Sequence, residues 1–178
     1  MKQKILITGI AGSGKSTLSG ELRTRGYEAY NFEEIDGMFK MYRQDTGEIY
    51  DGYKNENPDM VKNAEWRCDS AKLKALVDEQ KDEVAFYCGV ASNMDDIIPL
   101  FTKVLLLHVS SELLRQRLLS RDGTEEFGGT EEVRQQILGW KDWWEDEMRD
   151  RGAIQIDASG DVVAVADKIV ANLELKIL

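Results

Sequence analysis

Five short apolar runs predict the strands of a sheet. They cover residues 4–8, 28–32, 83–88, 103–109 and 153–157. None alternates between apolar and polar positions, which is typical of strands buried on both faces of a parallel sheet. Segments with helical periodicity lie between them. This order predicts one α/β domain with a three-layer, doubly wound, five-stranded parallel sheet, in which ligands bind at the carboxyl ends of the strands.

The helical segments are predicted over residues 14–25, 57–80 and 110–121, from Thr130, and from Asp161 with its inward-facing residues up to Leu173. Asn57 and Pro58 suit an N-cap and a first helical position. In the helix that begins at Thr130, five residues recur at spacings of three and four and are predicted to face the core: Val133, Ile137, Trp140, Trp144 and Met148. Stacking of the tryptophans on a base or a partner remains the alternative.

Residues 9–16 read G-I-A-G-S-G-K-S and match the phosphate-binding pattern G-x-x-x-x-G-K-[ST]. The match follows a predicted strand and opens a predicted helix, so backbone N–H groups and the helix N-terminus would meet phosphate oxygens. Lys15 would reach the β- and γ-phosphates, and Ser16 would bind Mg²⁺. The residues expected to contact ATP are Gly9, Ala11, Gly12, Ser13, Gly14, Lys15, Ser16 and Thr17.

A second acid is needed for Mg²⁺, because the strand over residues 83–88 ends in Cys-Gly rather than in an aspartate. Asp36, just beyond the second strand, is the predicted ligand, with Glu33 and Glu34 as alternatives. A solvated turn at Asp36-Gly37 is the competing interpretation. The guanine-reading tetrapeptide N-K-x-D is absent from the sequence, which disfavours a regulatory GTPase.

Two arginines precede a segment that is predicted to act as a lid over residues 121–131. Arg117 and Arg121 are four residues apart and so share one face of a helix. Arginines on a closing lid would stabilise the transferred phosphoryl group and exclude water. Surface arginines that balance nearby glutamates are the alternative.

With these motifs the chain resembles the nucleoside monophosphate kinase and shikimate kinase-like group of P-loop kinases. The resemblance also includes Y-C-G-V-A-S-N at residues 87–93, R-L-L-S-R at 117–121 and D-A-S at 157–159. It implies ATP-dependent phosphoryl transfer without a protein nucleophile, a closing lid, and nucleotide contacts from Arg117, Ala158 and Ser159. It further implies that Asp36 would act as general base if the acceptor is a hydroxyl group.

Residues 33–66 or so are predicted to bind the acceptor, because they lack clean periodicity and lie between the second and third predicted strands. Arg43 and Arg67 are the candidates for an anionic group on the acceptor, and Asn93 is a candidate hydrogen-bonding residue. A nucleoside monophosphate is the first expectation, and a small hydroxylated metabolite is the second. A regulatory module that binds ATP without transferring phosphate is the alternative from another functional class.

The charge and the cysteine content of the chain indicate which classes of partner it binds and in which compartment it is found. There are 33 acidic against 23 basic side chains in 178 residues, a formal charge of −10 that disfavours nucleic acids and anionic membranes. Cys68 and Cys88 fit neither a disulfide framework nor a zinc site. We therefore expect a cytoplasmic protein, monomeric or homodimeric, that binds a nucleoside triphosphate and a small acceptor. His108 is expected to be a core imidazole with a satisfied hydrogen bond.

Overall fold

The computed structural model describes residues 1–121 and 123–174; Asp122, in the predicted lid, and residues 175–178 lie outside the described part. The strands are β1 (Gln3–Thr8), β2 (Glu28–Asn31), β3 (Phe39–Arg43), β4 (Ala64–Cys68), β5 (Val84–Cys88), β6 (Lys103–His108) and β7 (Ile154–Asp157). The helices are α1 (Lys15–Thr24), α2 (Pro58–Lys62), α3 (Ser70–Asp78), α4 (Met94–Ile97), α5 (Ser111–Leu119), α6 (Glu131–Asp150) and α7 (Val162–Glu174). Short 3₁₀ helices cover Phe32–Glu34 and Ile98–Leu100.

The predicted five-stranded parallel sheet is confirmed, with the strand order β2-β5-β1-β6-β7. Strand β1 is central, and Ile5, Leu6 and Ile7 are fully buried, as expected for a strand covered on both faces. The loop that follows β1 therefore emerges at the middle of the carboxyl edge of the sheet.

Helices cover both faces of the sheet. On one face α1 and α7 contact each other, and Leu22 and Ile169 pack with Ile5 and Ile7 of β1. On the other face α3, α4 and the C-terminal half of α6 pack around Leu6. Because successive side chains of a strand point to opposite faces, one short apolar run supplies both core layers.

The continuous helix predicted over residues 57–80 is wrong. The side chain of Asn57 caps α2 by accepting hydrogen bonds from the N–H groups of Asp59 and Met60, and Pro58 is the first helical residue, but α2 ends at Lys62. The chain then forms β4, which pairs antiparallel with β3, before α3 begins after its cap Asp69. Apolar residues at every second position of β4 carry this strand signal in the sequence.

The prediction for the stripe of α6 is correct at Val133, Ile137 and Met148, which are buried. It is wrong at Trp140, which is 37% exposed. Two charged residues of α6, Lys141 and Glu145, are buried instead.

These buried charges are paired. Glu145 Oε2 lies 2.8 Å from His108 Nδ1 and 3.2 Å from Lys141 Nζ. The imidazole of His108 is thus hydrogen-bonded as expected, although about a third of it is exposed rather than within the core. Ion pairing explains why apolar periodicity alone does not predict which face of α6 is buried. Within residues 1–121 and 123–174, no helix is both long and apolar enough to cross a membrane.

Candidate active site

The phosphate loop lies between β1 and α1 at the carboxyl edge of the sheet. Gly14 is the N-cap residue of α1 with a φ of 105°, and Gly12 has a φ of 87°, so both occupy the left-handed region that glycine tolerates. At Gly9 a Cβ atom would lie 2.3 Å from Ser13 Oγ. The loop therefore needs glycine at these positions to curl tightly, and this geometry suits the approach of phosphate oxygens.

Lys15 is folded back onto this loop. Its Nζ donates a hydrogen bond to the Gly9 carbonyl at 2.7 Å and lies 3.4 Å from the Ile10 carbonyl. The side chain is largely buried but lines the cavity beside the loop, where Ser16 and Thr17 are exposed. The ammonium group is thus held where the predicted phosphates would lie.

Glu33, rather than Asp36, is the acid that the structure brings to the phosphate loop. Glu33 Oε1 lies 3.6 Å from Lys15 Nζ and accepts a hydrogen bond from the Val90 N–H at 3.0 Å. Asp36 is exposed before Gly37, at the turn of the competing interpretation, and does not line the cavity. The 3₁₀ helix after β2 explains the difference, because it turns the chain back at Glu33 and carries Asp36 away from the sheet edge.

Arg117 connects the two loops that flank the nucleotide side of the cavity. It donates hydrogen bonds to the Ser13 carbonyl at 3.1 Å and to the Ala158 carbonyl at 2.9 Å. Ala158 is buried and lines the cavity, and its N–H donates to the His108 carbonyl. Arg117 is therefore a structural link at the phosphate loop, not one half of a surface ion pair.

Arg121 also lines the cavity, from the start of the predicted lid. Its guanidinium donates to the Phe127 carbonyl. Burial lowers the pKa of Arg121 below its ordinary value, while the carboxylates of Glu126 and Glu33 act in the opposite direction. Arg121, Glu33 and the phosphate loop line the same cavity.

Ser159 lies apart from the cavity lining. Its N–H donates to the Asp157 carboxylate at 3.0 Å, and Lys168 Nζ lies 3.0 Å from the same group. The side chain of Ser159, then Lys168 and then the Ser159 N–H hold the pKa of Asp157 well below its ordinary value by hydrogen bonding to its carboxylate. Ser159 therefore shapes the loop after β7 in this structure, and Ala158 is the member of the pair that reaches the site.

The structure does not bring Arg43, Arg67 or Asn93 into the cavity. In β4, Trp66 pairs with Met41 and Arg67 with Lys40, so Arg67 points to the opposite face of the hairpin from Trp66. Its guanidinium lies over the Tyr42 ring at 5.5 Å.

The other two predicted acceptor residues are engaged locally. Arg43 donates twice to the carboxylate of Asp45, both at 3.1 Å. The amide of Asn93 accepts from the Cys68 N–H and donates to the Cys68 carbonyl, which joins the loop after β5 to β4. Arg43 is thus paired two residues along the chain, whereas the contact of Asn93 with a residue 25 positions away is one that a sequence pattern does not reveal.

One cavity of about 1440 Å³ runs from the phosphate loop to the acceptor side. Its volume exceeds that of a typical pocket for one ligand, so it has room for a nucleotide and an acceptor. Several residues that line the cavity were not singled out from the sequence. Met41, Gln44, Lys62 and Glu65 lie within the predicted acceptor segment, and Trp140, Trp143, Trp144 and Glu147 lie outside every predicted site segment. For the tryptophans of α6, the sequence did offer one indication of a place in the site, which was the alternative that they stack on a base or a partner.

The site fits Mg²⁺ bound together with a nucleotide. In the described residues, no cluster of three or more His, Cys, Asp or Glu side chains is arranged to hold a metal ion. Ser16 and Glu33 instead offer a hydroxyl and a carboxylate beside the phosphate loop. Mg²⁺ is commonly held in this way, by few protein oxygens together with substrate phosphates.

Comparisons with known proteins agree with this geometry. The AAA domain family model matches residues 5–139. No curated protein gives a significant match. Among solved structures, deoxyadenosine kinase from M. mycoides with bound dATP is 17% identical, with a TM-score of 0.58 over 98% of this chain and 100% of that chain.

Two further structures are similar over nearly the whole chain. Shikimate kinase from Acinetobacter baumannii is 19% identical, with a TM-score of 0.60 over 100% of this chain and 97% of that chain. A gluconokinase from Sinorhizobium meliloti 1021 is 18% identical, with a TM-score of 0.54 over 97% and 91%. The family match covers most of the residues, including those of the phosphate loop. The chain therefore belongs to the AAA domain family and has the fold of the small-molecule P-loop kinases.

Proposed function

We propose that the protein is an ATP-dependent kinase that transfers the γ-phosphoryl group of Mg·ATP to a hydroxyl group of a small molecule. The observation that supports this most directly is the carboxylate of Glu33, held by the Val90 N–H at 3.0 Å and 3.6 Å from Lys15. A carboxylate beside the phosphate loop suits activation of a hydroxyl acceptor.

Lys15 and the loop N–H groups bind the phosphates. On nucleotide binding, Lys15 Nζ would exchange the Gly9 carbonyl for phosphate oxygens, since the carbonyl is a neutral acceptor and the phosphates are charged. Ser16 and Glu33 would hold Mg²⁺, which neutralises charge on the β- and γ-phosphates when it is bound. The N-terminus of α1 adds its positive dipole end.

Glu33 would also accept the proton of the acceptor. The acceptor oxygen attacks the γ-phosphorus, its O–H proton passes to the Glu33 carboxylate, and the bond from phosphorus to the β,γ-bridging oxygen breaks to leave ADP. The protein would accelerate the transfer by holding the base beside the phosphate site. No covalent enzyme intermediate is needed.

The predicted lid would complete the site. Arg121 lies at its start and lines the cavity, and the side chain of Asn55 in the acceptor segment donates to the Glu125 carbonyl at 3.2 Å. A lid that contacts the acceptor segment can close with the acceptor bound and exclude water. Arg121 would then stabilise charge on the transferred group.

A hydroxyl acceptor is favoured over the phosphate of a nucleoside monophosphate. Arg43 and Arg67 are paired with Asp45 and Tyr42 outside the cavity, while Glu33, Glu34 and Glu65 line it. Within the acceptor segment the lining thus carries three carboxylates against the one ammonium group of Lys62, and no guanidinium that could bind an acceptor phosphate through two hydrogen bonds. The similar structures include kinases named for a nucleoside, a sugar acid and shikimate, and hydroxyl acceptors are consistent with that range.

The test is transfer of labelled γ-phosphate from Mg·ATP to a panel of hydroxylated metabolites and nucleoside monophosphates. Lys15→Ala should abolish the labelled product while the far-ultraviolet circular dichroism stays unchanged. Lys81→Ala, at an exposed position outside the cavity, is the matched control and should keep full activity. ATP binding without transfer to any acceptor would contradict the proposal and favour a regulatory module.

A further inference from the structure

Three aromatic rings form a stack that leads from the core to the wall of the cavity. Phe32 is fully buried and stacks on Phe39, with ring centroids 5.8 Å apart and an interplanar angle of 10°. Phe39 stacks on Trp66 at 4.7 Å and 12°. Trp66 lines the cavity, so it is the last ring of the stack on that side.

The backbone around Trp66 is fixed on both sides. Its carbonyl accepts a hydrogen bond from the Ser92 N–H at 2.8 Å, and its strand pairs it with Met41. Two residues along β4, the Asn93 amide bonds both backbone groups of Cys68. The indole is thus held in place before any acceptor arrives, which lowers the entropy cost of binding against it.

Helix α6 adds apolar surface to the same cavity. Trp140 and Trp143 are 37% and 62% exposed, and together with Trp144 they line the cavity at spacings of three and four residues. Side chains of this size are normally covered in a folded protein, and exposed indoles in a cleft indicate an apolar ligand.

The charges around these indoles disfavour an anionic acceptor. Arg67 lies over Tyr42 on the opposite face of the hairpin from Trp66. Arg151, which lines the α6 side of the cavity, donates to the carboxylates of Asp95 and Glu147 at 2.8 and 2.7 Å. Both guanidiniums are therefore engaged by carboxylates of the lining, Arg151 by Glu147 and Arg67 by Glu65 at 3.9 Å, so neither is free to bind an anionic group of the acceptor.

From this arrangement we infer that the acceptor is an alcohol with a flat aromatic ring and no anionic group, and that the ring stacks on the cavity face of Trp66. The inference rests on the proposed kinase function, which it deepens by naming the acceptor class. The fourth ring would continue the stack of Phe32, Phe39 and Trp66. Glu33 lines the same cavity as Trp66, so the hydroxyl group would extend from the ring through the cavity toward Glu33.

Direct binding tests this inference independently of catalysis. The full chain, saturated with Mg²⁺ and a non-hydrolysable ATP analogue, is titrated calorimetrically with adenosine, thymidine and pyridoxine, with the 5′-monophosphate of each, and with gluconate. At least one neutral ring alcohol should bind tenfold or more tightly than both its monophosphate and gluconate. Tighter binding of the monophosphates or of gluconate, or no binding of the ring alcohols, would overturn the inference.

Two variants test the stacking itself. Trp66→Leu should weaken binding of that ring alcohol by about 5- to 100-fold, whereas Trp66→Phe should stay within about threefold of the parent chain. The affinity for the ATP analogue should be unchanged in both, which shows that the chain remains folded. Equal effects of leucine and phenylalanine would overturn stacking as the basis of recognition.

The two proposals fail in different ways. A ring alcohol that binds through Trp66 but is never phosphorylated would contradict the kinase proposal alone. Phosphoryl transfer confined to anionic or aliphatic acceptors would contradict the acceptor class alone.

Discussion

The carboxylate of Glu33 lies 3.6 Å from the ammonium of Lys15, so the acid after β2 and the lysine of the phosphate loop form one charged pair at the sheet edge. Glu33 also accepts the Val90 N–H, which fixes it against the loop after β5. The pair therefore unites three loops that follow neighbouring strands. A nucleotide that draws Lys15 toward its phosphates would release this carboxylate from the lysine, so that its two oxygens could serve Mg²⁺ and the acceptor.

Arg117→Ala should weaken ATP binding. The guanidinium bridges the Ser13 and Ala158 carbonyls, and hydrogen bonds from a charged donor are worth about 1.5–3 kcal/mol each. We expect the Kd for an ATP analogue to rise by about 10- to 100-fold, measured by calorimetry. Arg115→Ala on the same helix removes only an exposed pair with Glu131 and should change the Kd less than about threefold. Equal effects of the two variants would contradict the bridging role.

Gly89→Ala should damage both stability and activity. A Cβ atom there would lie 2.5–2.7 Å from ring atoms of Phe32, which is fully buried and adjacent to Glu33. The ring must move, so we expect a loss of about 1–3 kcal/mol in the free energy of unfolding and a lower kcat. Urea denaturation measures the first and the transfer assay the second.

Gly20→Ala is the matched control for that substitution. Gly20 lies within α1, and a Cβ atom there meets no heavy atom within 4 Å. Alanine favours helix over glycine by up to about 1 kcal/mol, so this variant should be as stable as the parent or more so. A destabilised Gly20→Ala chain alongside an unaffected Gly89→Ala chain would contradict the packing described for Phe32.

Glu145→Ala should be strongly destabilising. It leaves the buried ammonium of Lys141 without the partner at 3.2 Å, and breaking such a pair costs about 3–5 kcal/mol. The double variant Lys141→Met, Glu145→Leu removes both charges and should lose much less. Urea denaturation measures the free energy of unfolding of both variants. A smaller loss in the single variant than in the double variant would contradict the burial of this ion pair.

The two cysteines should be unreactive in the folded chain. Burial raises the pKa of both Cys68 and Cys88 to about 12, so at pH 8 only about one thiol in ten thousand would be the reactive thiolate. Ellman's reagent at pH 8 should therefore react slowly with the native protein and fully after unfolding in guanidinium chloride. Rapid reaction of both thiols without denaturant would contradict their burial.

The sheet and the phosphate loop could be predicted because their signals are local. The inner strands β1, β5 and β6 contain continuous apolar runs, and the loop needs glycines and a lysine at fixed spacing. The hairpin of β3 and β4 was missed because its pairing joins residues far apart in the chain. Apolar and polar residues alternate over only five positions in β4. The helical start at Asn57 and Pro58 precedes them and favoured one long helix.

The identity of the acidic residue beside the phosphate loop was equally hard to predict from the sequence. Glu33 and Asp36 are three residues apart, and sequence reasoning cannot tell which faces the phosphate loop, because a 3₁₀ turn decides it. Likewise Arg67 and Trp66 are neighbours, and only the register of β4 with β3 places the indole inside and the guanidinium outside. Such choices depend on tertiary contacts rather than on residue type.

The most direct test of the account compares the rates of phosphoryl transfer of Glu33→Gln and Asp36→Asn under saturating Mg·ATP. Glutamine keeps an oxygen for the Val90 N–H but removes the charge and the base, so kcat should fall by about 10²- to 10⁴-fold with an unchanged circular dichroism spectrum. Asp36→Asn should retain the parent rate, since that carboxylate is exposed and lies outside the cavity. A full rate in Glu33→Gln together with a large loss in Asp36→Asn would contradict the site described for this protein.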